Sequence, residues 1–516
     1  MMVRSVRWHG LRRPGMTILH SPAPCGAGII ALIGVSGAGP APHFPEGLPL
    51  MSRRNLFWLL GIVSVEVFGL AVSYSAPTRE KDKDYELVRL VVDVLHEVRQ
   101  RYVVDVGPER ERKLVEDMIN GGLERLDPHS AYINPRDYKQ FDKQSEGKFG
   151  GVGISVGFDR ANRGQLTVIS PMPGTPAYEA GVLAGDLILK IDGKATENLR
   201  MNEAVDLIQG DPGQKVVLTV LHEGSKEPVE VPIVRAVIKV PSVMGDRRKA
   251  DSPQEWDYFL DQTNKIGYLR LTNFSKAAPA EMKAAIEELQ RGGVRGLVID
   301  LRNNPGGLLR AAVEISDLFL DKGVIVSTKG RNHKEEVYEA KPEGTLLSEP
   351  GKVVPIAVLI NKFSASASEI VSAALQDHGR AVVVGERSYG KGSVQNIILM
   401  EKDTSALKLT TASYWRPNGK NIHRFPDSKE SDDWGVKPSP GFEVPMKDEE
   451  RLEYMIYRSD RDVVRTKPKP EKKGPEKKDA KPKKPFTDRV LEKAVEHLKK
   501  EIDKGAAAAL PVPHNA

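Results

Sequence analysis

A lysine framed by two glycines and a serine-rich strand-to-helix junction are the residues of this chain best suited to covalent chemistry. Lys391 stands in VVVGERSYGKGSVQ (382–395), directly after an apolar run that reads as a buried strand. An ammonium that is buried, or set beside other positive charge, gives up its proton more readily and can serve as a general base. Gln395, four residues on, is a candidate to orient that amine. A phosphate-binding loop fits less well, because GERSYGKGS has Gly392 where the motif G-x-x-x-x-G-K-S/T needs Ser or Thr. The serine junction is LINKFSASASEIVSAALQD (359–377), a strand running into Ser-Ala-Ser-Ala-Ser and then an amphipathic helix. A serine there is exposed, and the amide of the next residue points outward, where the helix dipole helps it hold an oxyanion. Helix capping is the competing role for Ser364 and Ser368, and local sequence alone does not select the nucleophile among Ser364, Ser366 and Ser368. A third segment, VIDLRNNPGG (298–307), ends a buried strand in Pro-Gly-Gly, at the strand end where ligands of α/β sheets collect. His378 lies just past the serine helix, but it lacks the glycine-framed, strand-end setting of Lys391, so a Ser/His/Asp arrangement is the weaker reading.

These segments need a scaffold, and the chain supplies one. From 265 to about 421, compact apolar runs (IGYLRL, GLVIDL, VPIAVLI, AVVVG) alternate with helical patterns at 280–291, 307–320 and 366–376, which predicts an α/β core. Before it, residues 147–240 hold short β-type runs between Gly/Pro turns and one helix. Met201, Ala204, Val205 and Ile208 make a single face of that helix. Upstream, helical spacing over 85–102 and 111–126 predicts a helical N-terminal region, closed by turn residues in LDPHSAYINP. A last amphipathic helix is expected at 488–504.

At 516 residues there is room for two to four domains. The net charge of +6 is matched by one Lys/Pro-rich stretch, 466–485, with nine Lys against three acidic residues, so the remaining charges balance. With no aromatic-interleaved basic patch, a nucleic-acid partner is not expected. Cys25 is the only cysteine, which excludes a disulfide framework, a thiolate metal cluster and a Cys/His protease. Met51-Ser-Arg-Arg followed by LFWLLGIVSVEVFGLAV (56–72) reads as an export signal or an uncleaved membrane anchor. Fifty Gly/Pro/Arg-rich residues precede it, so Met51 is expected to be the true start and 1–50 a misassigned leader.

DLRNNPGGLL, SASASEIVSAALQD, GKGSVQ, SALKLTTASYWRPNGKNIH and WGVKP, with LDPHSAY upstream, together resemble the carboxyl-terminal processing (tail-specific) serine proteases over roughly residues 83–440. The resemblance implies an α/β core of the ClpP/crotonase-like type, an inserted β-rich PDZ domain and a helical N-terminal region. It implies a Ser/Lys dyad with Ser366 as nucleophile, Lys391 as base 25 residues later, and Gln395 in support. It implies oxyanion donors at Ala367 and Gly306, and a candidate relay acid at Asp377. No metal or other cofactor is implied. SPMPGTPAYEAGVLAGDLILKIDG (170–193) is the most recognisable PDZ stretch, and FGGVGISV (149–156) resembles a carboxylate-binding loop. In such a domain a peptide adds as a strand and loop amides capture its terminal carboxylate. Gly150, Gly151 and Gly153 allow that nest; Val152, Ile154, Met201, Val205 and Ile208 offer an apolar pocket for the last side chain.

The implied partners are protein substrates with exposed apolar C-termini and a membrane through the N-terminal segment, with homo-oligomer formation left open. The implied location is exported, either periplasmic or held on the inner membrane facing outward. The expected domains are the leader 1–50, the signal or anchor 51–76, the helical region 77–146, the PDZ domain 147–240, the protease core 241–445, a C-terminal core segment 446–465, the linker 466–485, and a final helix and tail 486–516. An inactive PDZ scaffold, or a ligand carrier on the same fold, is the alternative. The presence of both Ser366 and Lys391 argues against the first, and the PDZ segment against the second.

Overall fold

The computed structural model describes residues 79–159, 164–349, 352–464 and 486–508. The expected leader, export segment and Lys/Pro tract lie outside these residues. The chain divides into two compact units between Tyr102 and Val103. Within the first, the described element is the helix Arg79–Arg101, whose Leu87, Val88, Val91 and Val94 repeat at helical spacing. No helix among the described residues is long and apolar enough to cross a membrane.

The second unit is built on a six-stranded sheet. Four of its strands run parallel: Ile266–Leu271, Gly296–Asp300, Ile356–Ile360 and Ala381–Gly385. They are apolar throughout because both faces are covered, and the pleat sends alternate residues to opposite layers. Leu297, Ile299, Val358 and Val383 pack with the helices Ala278–Arg291, Leu309–Asp317 and Ala367–Asp377. Val298, Ala357, Leu359 and Val384 pack on the other side. There the helix Arg489–Ala508 lays Val490, Ala494, Leu498 and Ile502, each four residues apart, against the sheet. The last helix is therefore part of the α/β core in space, though a Lys/Pro tract separates it in sequence.

A second, antiparallel sheet stands beside this core. The long strand Ser405–Trp415 pairs with Ser393–Met400, with Val324–Gly330 and with Ala131–Ile133. The last pairing corrects the expectation that LDPHSAYINP is only a turn: three of its residues are a strand, stabilised by a partner 270 or more positions away. The helices Pro135–Glu146 and Asp448–Asp462 were likewise not expected. Their sequences are strongly polar, and few of their residues are buried.

The β-rich segment is a separate sheet with the order Ile154–Asp159, Gln165–Pro171, Leu187–Ile191, Lys215–Leu221, Val229–Val234. The helix Met201–Ile208 covers one side, and Lys148–Gly151 pairs with Ala236–Lys239 where the chain enters and leaves. An α/β core, an inserted β-rich domain and N-terminal helices are thus all present.

Candidate active site

The serine helix begins at a strained point. Ser366 has φ +55° and ψ −114°, a conformation that a side-chain-bearing residue adopts only when its surroundings impose it. What imposes it is a set of bonds around the neighbouring serines. Ser364 Oγ donates to Leu301 O (2.8 Å) and accepts from Asn361 N (2.9 Å), while Ser368 Oγ donates to Asn304 O (2.9 Å). Both are fully buried and occupied in holding the DLRNNPGG loop to the helix start. Ser366 keeps 7% of its surface exposed, and the Tyr414 hydroxyl is near it. Among the described residues the Ala367 amide has no acceptor, as expected for a first-turn N–H.

Gly306 packs directly against this serine. Its φ is +105°, and a Cβ placed on it would lie 2.9 Å from Ser366 Cβ and 3.0 Å from the Ala367 nitrogen, so only glycine fits. Its own N–H, however, donates to Asn304 Oδ1 (2.9 Å) instead of standing free. In the Pro-Gly-Gly turn it is the Gly307 amide that lacks an acceptor among the described residues.

Glu369 ties this junction to the lysine loop. Its carboxylate is wholly buried. One oxygen, Oε2, accepts the amides of Ser366 and Lys391, each at 2.8 Å. The other accepts the Gly390 amide (2.6 Å) and the Ser388 hydroxyl (2.5 Å). The two backbone nitrogens of Ser366 and Lys391 are therefore within twice 2.8 Å of each other. Burial pushes the Glu369 carboxyl up, and the four donors only partly offset it. Glu369 was not among the expected site residues; its place three residues after Ser366, in a capping-box spacing, is the signal that points to it.

Burial also pushes the Lys391 ammonium down, and the nearby positive charge of Lys408 adds to the effect against the opposing Glu369 and Asp127. The Lys391 side chain borders a cavity of about 800 Å³ that is also lined by His129, Tyr389, His423 and Trp434. His129 comes from LDPHS. Burial and the charge of Lys391 hold its imidazole below the usual histidine range. Asp127 of the same motif anchors the segment, accepting from Ser130 Oγ (2.6 Å) and Thr410 Oγ1 (3.1 Å).

Other expected site residues lie elsewhere. The Gln395 amide donates to Ser393 Oγ (2.8 Å) and Thr410 Oγ1 (3.1 Å) instead of to the Lys391 amine. Strand alternation sends its side chain to the hairpin partner that carries Thr410. Asp377 forms a two-pronged pair with Arg416 (2.6 and 3.0 Å) at the far end of the helix, about 16 Å along the axis from Ser366. His378 Nε2 bonds to Val324 O (2.8 Å). Behind the DLR loop, a buried group missed in the sequence joins Asp300, Arg302 and Asp488, with Arg302 bonding Asp300 at 2.6 Å and Asp488 at 2.9 Å. Burial favours the neutral forms of Asp300 and Arg302, but their mutual attraction wins and holds the acid low and the guanidinium high.

In the β-rich domain, Ile154–Asp159 is an edge strand, bonded only to Gln165–Pro171 among the described residues, so its other edge can accept a peptide. Gly153 has φ +82° beside Thr175, which closes the loop. Gly150 and Gly151 are not a free loop but the end of the strand paired with Ala236–Lys239. Val152 and Ile208 are buried in the domain core instead of lining a pocket, while Ile154, Met201 and Val205 remain half-buried at its margin. Among the described residues no cluster of His, Cys, Asp and Glu has the arrangement of a metal site.

Comparison with known proteins adds a lineage to this geometry. A model of peptidase family S41 matches residues 265–432, and a PDZ-domain model matches 167–221. A carboxy-terminal-processing protease of Bartonella bacilliformis is 38% identical over 400 residues, covering 77% of this chain and 84% of its own length. A carboxyl-terminal-processing protease of Synechocystis sp. is 33% identical over 353 residues, 68% of this chain and 75% of its own. The carboxy-terminal processing protease CtpA of Bacillus subtilis is 34% identical over 345 residues, 66% of each chain.

Proposed function

Because this chain belongs to the carboxyl-terminal processing proteases of peptidase family S41, we propose that Ser366 is the nucleophile and Lys391 the general base of a serine endopeptidase that recognises protein C-terminal tails through its PDZ domain. The observation that carries the assignment is the shared Glu369 oxygen, which fixes the backbones of both residues to one point. A partly buried Lys391, with Lys408 near, is neutral more often than a solvated lysine, and its amine takes the proton of the Ser366 hydroxyl. The freed oxygen attacks the scissile carbonyl. The oxyanion is received by the Ala367 amide at the helix N-terminus and by an amide of the Pro-Gly-Gly turn, with Gly307 the better candidate because the Gly306 N–H is engaged. The Lys391 ammonium then protonates the departing amine. The same amine, neutral again, activates the water that hydrolyses the acyl-enzyme.

The reading extends to the expected domain limits, to a ClpP/crotonase-like core and to export with residues 51–76 as signal or anchor. The four-strand parallel sheet with helices on both faces supports the second of these. The open edge of Ile154–Asp159 supports tail capture by strand addition.

The test is cleavage of peptides with free or amidated apolar C-termini by the parent protein and by Ser366→Ala and Lys391→Ala. Cleavage of free tails and its loss in both variants is expected. Activity surviving either substitution removes the dyad, and equal cleavage of amidated tails removes the recognition model.

A further inference from the structure

A cavity of about 570 Å³ lies between the PDZ domain and the protease core, away from the serine. Ser155, Ile169 and Met172 wall it on the PDZ side, and Met244, Trp256 and Tyr454 on the core side. Ser155 belongs to the open edge strand, but strand alternation turns it to the face opposite Ile154, which packs against the domain core. The cavity is therefore distinct from the groove beside the helix Met201–Ile208.

Its charges do not balance. Arg270, Arg302, Arg458 and Arg461 are matched by Asp246, Asp300, Asp462 and Asp488 in direct ion pairs. Arg248 and Lys239, which also line the cavity, have no carboxylate partner among the described residues. Arg248 is the more buried of the two. Its Nη1 donates to Gln254 O (3.1 Å), and its guanidinium lies over the Trp256 ring at 3.8 Å from the centroid. Burial pushes its pKa down, with the more distant Asp462 only partly opposing. Its Nε and the Trp256 indole N–H are both buried donors without an acceptor. Cations without a carboxylate partner beside an apolar wall call for an occupant that carries negative charge on an apolar body.

We propose that this cavity is a second docking site for the end of a peptide: Arg248 binds its terminal carboxylate, and the Ile169, Met172 and Met244 wall takes an apolar last side chain. The inference rests on the reading of the chain as a tail-directed endopeptidase and names where else on it a tail is held. Asn303, on the loop that leads to Gly306, also lines the cavity, so a bound tail reaches the loop that flanks Ser366.

The experiment uses the full chain with 15N-labelled indoles. Its five tryptophans give five indole N–H resonances, and Trp256→Phe identifies the one of interest. Titration with N-acetyl-leucine, too short to add as a strand, is expected to shift the Trp256 resonance. Arg248→Gln and the amide of the same compound should each weaken the response about tenfold, the worth of one charge-assisted hydrogen bond. Arg248→Lys, which keeps the charge but loses the planar stack, should fall between and serves if Arg248→Gln does not fold. An unmoved Trp256 resonance, an equal response to acid and amide, or an equal response to inorganic phosphate overturns the proposal. Proteolysis is scored separately: tail cleavage by the parent and its loss in Ser366→Ala stand or fall without reference to Trp256.

Discussion

Replacing Glu369 by glutamine changes one oxygen into an amide NH2 at a point where every neighbour is a donor. Oε2 faces the amides of Ser366 and Lys391; Oε1 faces the Gly390 amide and the Ser388 hydroxyl. In the better of the two amide orientations, the new NH2 sits at the Oε1 position. The Ser388 hydroxyl can rotate to accept there, but the Gly390 N–H is orphaned. An orphaned buried amide costs about 1–3 kcal/mol. The bonds that remain lose their charge assistance, roughly half their strength. Against this, the variant no longer buries a charge. The net loss of folding stability is about 2 kcal/mol, to be read from urea unfolding. The effect on catalysis should be larger, because the serine junction and the lysine loop lose their common anchor, and a misplacement of about 1 Å costs on the order of 100-fold in rate. Hydrolysis of a fluorogenic tail peptide should therefore show kcat down about 100-fold with KM little changed. The pH dependence gives a further check. A carboxyl raised in the folded state contributes stability that is present at acid pH and lost as pH rises through its folded pKa, and the variant should lack that component. A kcat within about threefold of the parent, or a loss confined to KM, would refute the reasoning that this carboxylate holds the dyad together.

Four further outcomes are expected. Activity should rise with pH along a limb that lies below the ordinary lysine range, because Lys391 must be neutral to accept a proton; Lys408→Gln, which removes a neighbouring positive charge, should move that limb to higher pH in a kcat/KM profile. Tyr414→Phe removes the hydroxyl near Ser366 while leaving its backbone bond to Gly392 (2.7 Å), so kcat should fall by no more than about tenfold at constant KM, the ceiling set by one hydrogen bond. Asp488→Ala strips one carboxylate from buried Arg302 and should lower stability by about 3 kcal/mol by urea unfolding, more than a surface acid would. Asp377→Asn should leave kcat within about twofold, because its carboxylate is engaged by Arg416 at the distal end of the helix; a loss of 100-fold or more, the scale of general acid–base catalysis, would restore a relay role.

The elements around the site were legible because each is a local pattern. The four parallel strands are uninterrupted apolar runs, and the helix after Ser366 begins at a serine and repeats its apolar residues at helical spacing. The proposed chemistry rests on signals that are equally local: a lysine between glycines after a strand, and serines at a helix start. Sequence could also rank the lysine above His378, since the setting of each is written in its neighbours. What it could not do was choose among three serines by local pattern. That depends on Leu301 and Asn304, more than 60 residues upstream, whose carbonyls engage Ser364 and Ser368. Nor could it read that Glu369 joins two loops 20 residues apart, that Gln395 and Asp377 are drawn to Thr410 and Arg416, or that a helix beyond the Lys/Pro tract supplies Asp488 to the buried Arg302. Periodicity reports which face of an element is apolar. It does not report which distant polar group will meet it, because that is fixed only when the layers pack and each buried donor must find an acceptor.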